Sequence, residues 1–133
     1  MSYVNPTGEQ LKHFMDKGPD GPIVMLNLLK FRDKASYDAD AGEPERTGAE
    51  AYGVYSETAM RKVQEVGGGL FFMSPAHAAL IGPEGEWDVV ALIRYPSRQA
   101  FLGMVADPDY QACTHHRTAA LADSRLIPMN APA

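Results

Sequence analysis

The hydrophobic and polar positions of this chain alternate between helical and strand-like spacing in a regular order. A capping box at Thr7–Gln10 precedes apolar residues at helical spacing and predicts an amino-terminal helix over about residues 7–17. A second capping box, at Thr47–Glu50, begins the longest predicted helix. The apolar stripe of that helix repeats at three and four positions and comprises Tyr52, Tyr55, Ala59, Val63 and Val66.

Apolar runs between the helical segments predict four strands. The run Ile23–Phe31 contains a single internal polar residue, Asn27, as expected for a central strand buried on both faces. Two further runs, over residues 70–82 and 87–95, are joined by a turn, and a last short strand is predicted around Leu126–Met129. After the leading helix the order is therefore βαββαβ.

That order predicts an α+β protein with a ferredoxin-like fold, an antiparallel-type mixed sheet and an extra amino-terminal helix. The 133 residues fit a single domain over 1–133, with the core at about 22–129. The segment 32–46 is polar and acidic and shows little periodicity. We expect it to be either a mobile loop or a lid over a binding site.

Composition excludes several classes of function. The net charge is −5 and the basic residues are scattered, which argues against nucleic acid as a partner. No apolar run reaches the roughly 18 residues that a membrane span requires, and the amino terminus lacks a secretory signal pattern. A single cysteine, Cys113, agrees with a reducing compartment, so we expect a cytoplasmic protein.

Polar residues within or at the ends of the apolar strands are the first candidates for a ligand site. Asn27 must be hydrogen-bonded if buried, either within the protein or to a ligand. In a βαββαβ sheet we expect the first and third strands to be parallel neighbours, so that Lys30 and Arg94 lie at the same end and could hold a carboxylate or enolate oxygen. The alternative is a pair of solvated charges at strand ends, or salt bridges from them to the acidic segment 32–46. Tyr95 follows Arg94 at the strand-to-helix corner and is included in the candidate site.

Helical residues complete the candidate site. Tyr52 and Tyr55 could bring hydroxyl groups to a pocket edge, and His116 is the candidate proton acceptor, with Arg94 stabilising negative charge. A metal site is not expected, because adjacent helical positions such as His115 and His116 point about 100° apart. The sequence contains no glycine-rich phosphate loop and no flavin or nicotinamide motif, so no cofactor is expected.

Several segments together resemble a bacterial family known as domain of unknown function thirteen-thirty. The similar segments are Met25–Phe31, Gly48–Tyr55, Trp87–Phe101, with its Arg-Tyr-Pro-Ser-Arg run, and the later Asp107–Tyr110, His116-Arg117 and Leu126-Ile127. The resemblance implies a dimeric α/β barrel, in which two ferredoxin-like sheets pack face to face. It also implies a pocket between sheet and helices, in a superfamily that includes cofactor-independent monooxygenases and isomerases.

These observations lead to an expected function and an alternative. We expect a homodimer that binds a small, partly apolar ligand which is anionic or enolisable, and such a protein could be a cofactor-independent enzyme of monooxygenase or isomerase type. The alternative is a non-catalytic structural or protein-interaction module, whose core would be filled by its own side chains.

Overall fold

The computed structural model describes residues 2–132 as an α+β protomer of five helices and four strands. Its elements, in chain order, are α1 Gly8–Lys17, β1 Ile23–Phe31, α2 Gly48–Glu65, β2 Gly69–Pro75, β3 Val89–Tyr95, α3 Arg98–Ala106, α4 Pro108–Gln111, α5 Thr114–Ala120 and β4 Leu121–Asn130. Both predicted capping boxes are present, at Thr7 and Thr47. None of the helices in this part of the chain is both long and apolar enough to cross a membrane.

The four strands form one antiparallel sheet in the order β2-β3-β1-β4. A βαββαβ chain with this strand order is ferredoxin-like, so the predicted protomer fold is confirmed. Ile23, Met25 and Leu29 of β1 belong to the hydrophobic core that contains residues of α2 to α5. Since side chains alternate along a strand, the even-numbered residues of β1 point to the opposite, uncovered face of the sheet.

The prediction that the first and third strands are parallel is wrong. Val24 pairs with Arg94 and Leu29 with Val89, which makes β1 and β3 antiparallel neighbours. The crossover through α2 returns β2 in the direction of β1, and the connection from β2 to β3 then reverses the chain. β3 inserts between β1 and β2, so Lys30 and Arg94 lie at opposite ends of the sheet.

Two of the predicted strand boundaries also change. β2 ends at Pro75 and not near Gly82, because proline cannot donate to the ladder and the following segment contains glycines at positive φ. β4 begins at Leu121, directly after α5, and pairs with β1 over the whole length of both strands. The first half of β4 contains polar residues, which an edge strand tolerates because it is only partly buried. Its apolar pattern is therefore too weak to show where the strand begins.

The segment before α1 runs beside β4. The Tyr3 amide donates a hydrogen bond to Asp123 Oδ1 at 2.9 Å, and the Ser124 hydroxyl donates to the Tyr3 carbonyl oxygen at 2.6 Å. Arg117 of α5 donates to the carbonyl oxygen of Val4 at 2.6 Å. These contacts attach the amino-terminal residues to the outer strand of the sheet.

The segment 32–46 is attached to α5 and to the start of α2. The amide of Arg32 donates to Ala120 O at 2.8 Å, and the amide of Ser36 donates to Ala119 O at 2.9 Å. At its far end, Arg46 O accepts a hydrogen bond from the Ala35 amide at 2.9 Å. The segment is therefore a closed loop packed on α5.

Candidate functional site

Four tyrosines from three different elements meet in the layer between the sheet and the helices. Tyr52 and Tyr55 come from α2, Tyr95 from the end of β3 and Tyr110 from α4. The ring centres of Tyr52 and Tyr55 are 5.2 Å apart, and those of Tyr55 and Tyr110 are 6.0 Å apart. The same core cluster contains Met104 and Met25, so the hydroxyl groups lie among apolar side chains.

The hydroxyl groups of this tyrosine layer have few partners. Tyr55 and Tyr110 share one hydrogen bond of 2.6 Å, and Tyr95 makes only a long contact of 3.9 Å to the sulfur of Met104. Among the hydrogen bonds of residues 2–132, Tyr52 Oη has none. The Tyr55–Tyr110 pair uses only one of its two hydroxyl protons and Tyr52 uses none, so an oxygen atom of a ligand could accept the remaining ones.

Burial keeps these phenols neutral. It raises the pKa of Tyr52 to about 12, raises the pKa of Tyr55 well above its ordinary value, and raises the pKa of Tyr95 as well. Neutral phenols can donate hydrogen bonds near neutral pH. The layer therefore offers donors to a ligand oxygen without presenting charge.

Asn27 lies on the helix-facing side of β1, between Met25 and Leu29. Its side-chain amide donates to the carbonyl oxygens of Met25 at 3.2 Å and Ala91 at 3.4 Å. The requirement that a buried amide be hydrogen-bonded is met by the backbone. Asn27 shares the helix-facing side of the sheet with Tyr95.

Lys30 and Arg94 do not join this layer. The side chains of both residues point to the uncovered face of the sheet. Lys30 forms an ion pair there with Asp88 at 3.3 Å, and Arg94 is exposed. Because they lie at opposite ends, they cannot hold one small anion between them within a protomer. The sheet also separates Arg94 from His116, which belongs to the helix layer.

A second polar cluster forms where the segment 32–46 packs on α5. Glu43 Oε2 lies 3.2 Å from His115 Nε2 and 3.7 Å from His116 Nε2. On its other side, His116 Nδ1 lies 2.7 Å from the Tyr37 hydroxyl. Arg46 donates to Tyr37 Oη at 3.2 Å and to Glu43 Oε1 at 3.3 Å. We refer to Glu43, His115 and His116 as the histidine cluster.

The histidine cluster overturns the geometric argument that His115 and His116 cannot face one ion together. Their ring centres are 4.0 Å apart, and one donor atom from each ring lies within 4.8 Å of the others and of the Glu43 carboxylate. Both residues belong to the short helix α5, and flexible side-chain torsions bring the two rings towards Glu43. The angle between neighbouring Cβ directions therefore does not decide where the ring nitrogens lie.

Electrostatics in the cluster favours the ionised form of Glu43 and the neutral form of His116. The hydrogen bond from His115 is the main cause that lowers the pKa of Glu43, and burial is the main cause that lowers the pKa of His116. His116 is 9% exposed, whereas the side chain of His115 is 47% exposed. The cluster is consequently closed on one side and open to solvent on the other.

The fold brings together some of the candidate residues selected from the sequence. Tyr52, Tyr55, Tyr95 and Asn27 were selected, and all lie on the helix-facing side of the sheet. Tyr110 was missed, although the apolar spacing around α4 points this residue inward, and so were Tyr37 and Glu43. The last two lie in an aperiodic segment, so no local pattern indicates their contacts.

The strand order and the layer of helices on one face of the sheet define the class: this is a ferredoxin-like α+β protein. A family model described as Domain of unknown function (DUF1330) matches residues 43–130. The chain belongs to this family. No curated protein matches it.

Solved structures agree with this assignment. The protein is similar to RPA0582, a protein of unknown function from Rhodopseudomonas palustris, with 37% identity, 100% of this chain and 99% of that chain covered, and a TM-score of 0.91. The methylated form of RPA0582 gives 38% identity, coverage of 99% and 96%, and a TM-score of 0.91. A more distant similarity is to SnoaB, a cofactor-independent oxygenase from Streptomyces nogalater, with 13% identity, coverage of 85% and 95%, and a TM-score of 0.54. At that identity the likeness shows the fold alone.

Proposed function

We propose that this protein is a homodimer that binds a small, partly apolar molecule in its tyrosine layer. The observation that carries the proposal is the convergence of four hydroxyl groups in surroundings that are otherwise apolar, those of Tyr52, Tyr55, Tyr95 and Tyr110. Buried polar groups are normally paired within a protein. A ligand oxygen in this layer would supply an acceptor for the second proton of the Tyr55–Tyr110 pair and for Tyr52.

The chemistry of the layer selects the ligand. Neutral phenols donate hydrogen bonds to a carbonyl, carboxylate or enolate oxygen, while Met104, Met25 and the aromatic rings contact an apolar body. Tyr52 is less buried than Tyr55 and lies between the two core clusters, which suits a residue at the mouth of the site. The ligand class is therefore a small aromatic or alicyclic carboxylate, phenol or enolisable ketone.

Binding is proposed without a particular reaction. SnoaB is a cofactor-independent oxygenase and shares the fold, but fold alone does not assign chemistry. An enzyme of monooxygenase or isomerase type would use this same layer. Arg94 takes no part in the proposed site of its own protomer, because it lies across the sheet.

A titration with 4-hydroxybenzoate, followed by protein NMR or calorimetry, tests the proposed layer. We expect binding to the wild-type protein and a loss of about 2–10-fold in affinity for Tyr110→Phe, the range for one hydrogen bond of about 0.5–1.5 kcal/mol. The control is Tyr3→Phe, which removes an exposed hydroxyl. Equal binding by the wild type and Tyr110→Phe would place the compound elsewhere.

If neither 4-hydroxybenzoate nor a panel of related carboxylates and ketones binds, the alternative gains support. The chain would then be a non-catalytic interaction module, whose uncovered sheet face is its functional surface. The tyrosines would serve packing alone.

The dimer is proposed from the uncovered face of the sheet. Large apolar side chains occupy its centre on all four strands: Leu26, Leu28, Phe72, Val90, Leu92 and Ile127. Phe72 is 56% exposed and Ile127 is 44% exposed in the single protomer. A flat apolar surface of this kind is a liability in a monomer and is self-complementary across a two-fold axis. A second copy of the chain is therefore its occupant.

A charge at the centre of this face should separate the protomers. We expect Leu92→Lys to be monomeric in sedimentation equilibrium at micromolar concentration, since a buried unpaired ammonium is costly, while the wild type is dimeric. Gln64→Lys adds the same charge at an exposed position of α2 and should stay dimeric. A wild-type protein that sediments as a monomer contradicts the proposed dimer.

A further inference from the structure

The histidine cluster lies outside the tyrosine layer and is not needed for the proposed ligand. Its three members come from two parts of the chain: Glu43 from the segment 32–46, and His115 and His116 from α5. Two imidazoles and one carboxylate are a donor set that divalent transition metals use in proteins. We propose that Glu43, His115 and His116 form a binding site for a divalent transition metal ion, with zinc as the reference ion.

The donor atoms already have a suitable spacing. Zinc lies about 2.0–2.1 Å from nitrogen ligands, so two ligands of a tetrahedral site are about 3.3 Å apart. Glu43 Oε2 lies 3.2 Å from His115 Nε2 and 3.7 Å from His116 Nε2. Both separations are close to the tetrahedral spacing, and the three donor atoms all lie within 4.8 Å of one another.

Neighbouring side chains orient the donors as the outer residues of a metal site do. The Tyr37 hydroxyl lies 2.7 Å from His116 Nδ1, and when Nδ1 carries the proton, Nε2 is left as the ligand atom. Arg46 holds Glu43 Oε1 at 3.3 Å, which directs Oε2 towards the histidines. Arg46 also places a positive charge near the ion, so we expect a site of moderate affinity.

The environment indicates an open coordination position. His116 is buried, whereas His115 is half-exposed. Three protein ligands with one side open to solvent leave a fourth position for water or a small anion, as in catalytic zinc sites and unlike closed structural ones. The preferred ions are zinc and other transition metals that accept imidazole, and Mg²⁺ and Ca²⁺ are disfavoured because they prefer an all-oxygen shell.

Metal binding would also fix the segment 32–46 to α5, because the ligands come from both. A ligand that binds only the folded protein raises its stability with concentration. We therefore expect zinc to raise the melting temperature and to protect the segment 32–46 from proteolysis.

Calorimetric titration of untagged, chelator-treated protein with ZnCl₂ tests the site. We expect one zinc ion per protomer for the wild type, and loss of that binding in His115→Ala, whose half-exposed side chain can be removed without unfolding the protein. Glu43→Gln keeps the side-chain volume and should also lose zinc. Tyr37→Phe should weaken binding by about 10-fold or more, as outer residues of metal sites do.

His77→Ala is the matched control, because His77 is exposed and lies outside the cluster. This variant should bind zinc as the wild type does. Failure of the wild type to bind stoichiometric zinc overturns the proposal, and so does unchanged binding by folded His115→Ala. Neither result affects the proposed ligand site, since 4-hydroxybenzoate binding is measured without metal.

Discussion

Replacing Gly48 with alanine should destabilise the protein strongly, whereas the same change at Gly53 in the same helix should stabilise it. At Gly48 an added Cβ would overlap the carbonyl oxygen of Arg32 and would lie 2.7 Å from Ala120 O. Both neighbours are backbone atoms, which cannot turn aside. Overpacking of this kind costs about 2–3 kcal/mol in the free energy of unfolding.

Gly53 provides the internal control for that prediction. It is exposed, and an added Cβ would meet nothing within 4 Å. Alanine is favoured over glycine in the interior of a helix by about 0.5–1 kcal/mol, so Gly53→Ala should raise the free energy of unfolding measured in urea. If Gly48→Ala is as stable as the wild type, the close approach of α2 to Arg32 and Ala120 is incorrect.

The Gly48 substitution should also weaken metal binding by the histidine cluster. The Gly48 amide donates to Arg32 O at 3.0 Å, at the base of the segment that carries Glu43. Displacing this contact moves one end of the segment away from α5. We therefore expect Gly48→Ala to bind zinc more weakly than Gly53→Ala under conditions in which both variants are folded.

Removing the Arg98 side chain should release α1 from the rest of the protein. The Arg98 guanidinium donates to the carbonyl oxygens of Gly18 and Pro19, the latter at 2.8 Å, and pairs with Asp20 at 3.0 Å. Within the described residues, α1 has no fully buried side chain, and its main apolar contact is the edge-to-face packing of Phe14 on Phe101. The helix therefore depends on Arg98 for much of its attachment.

Hydrogen exchange measures this effect locally. Hydrogen bonds to charged groups contribute about 1.5–3 kcal/mol, so Arg98→Ala should greatly increase amide exchange in α1 while the sheet keeps its protection. Lys12→Ala removes a solvent-exposed ion pair within α1 and should change exchange little. Uniform loss of protection across the sheet would show instead that α1 is part of the cooperative core.

The sequence predicted the elements that carry local signals. Thr7 and Thr47 define helix starts through capping boxes, which involve residues three positions apart, and the run Ile23–Phe31 defines β1 by its uninterrupted apolar character. Interactions between residues close in sequence are enough to predict these elements. The position of β4 was predicted only in part, since Asp123 and Arg125 break its apolar pattern where the strand lies at an edge.

The direction of the strands and the contacts within the candidate sites could not be predicted from local sequence. Lys30 and Arg94 lie at opposite ends of the sheet because β1 and β3 are antiparallel, and no residue type in either strand indicates that direction. The topology of the crossover decides it. Similarly, the contact between Glu43 and His115 joins residues 72 positions apart, and nothing in the polar segment 32–46 indicates which helix it packs on.

The attachment of the amino-terminal residues to β4 limits how these sheets can associate. A free strand edge invites pairing with the edge of another molecule, and such pairing can extend without limit into fibrils. Here Tyr3 occupies the flank of β4 through its hydrogen bonds with Asp123 and Ser124, and Pro128 lacks the amide that a new partner strand would need. This attachment hinders growth of the sheet at the β4 edge, and the two-fold pairing that we propose through the apolar face would close on itself.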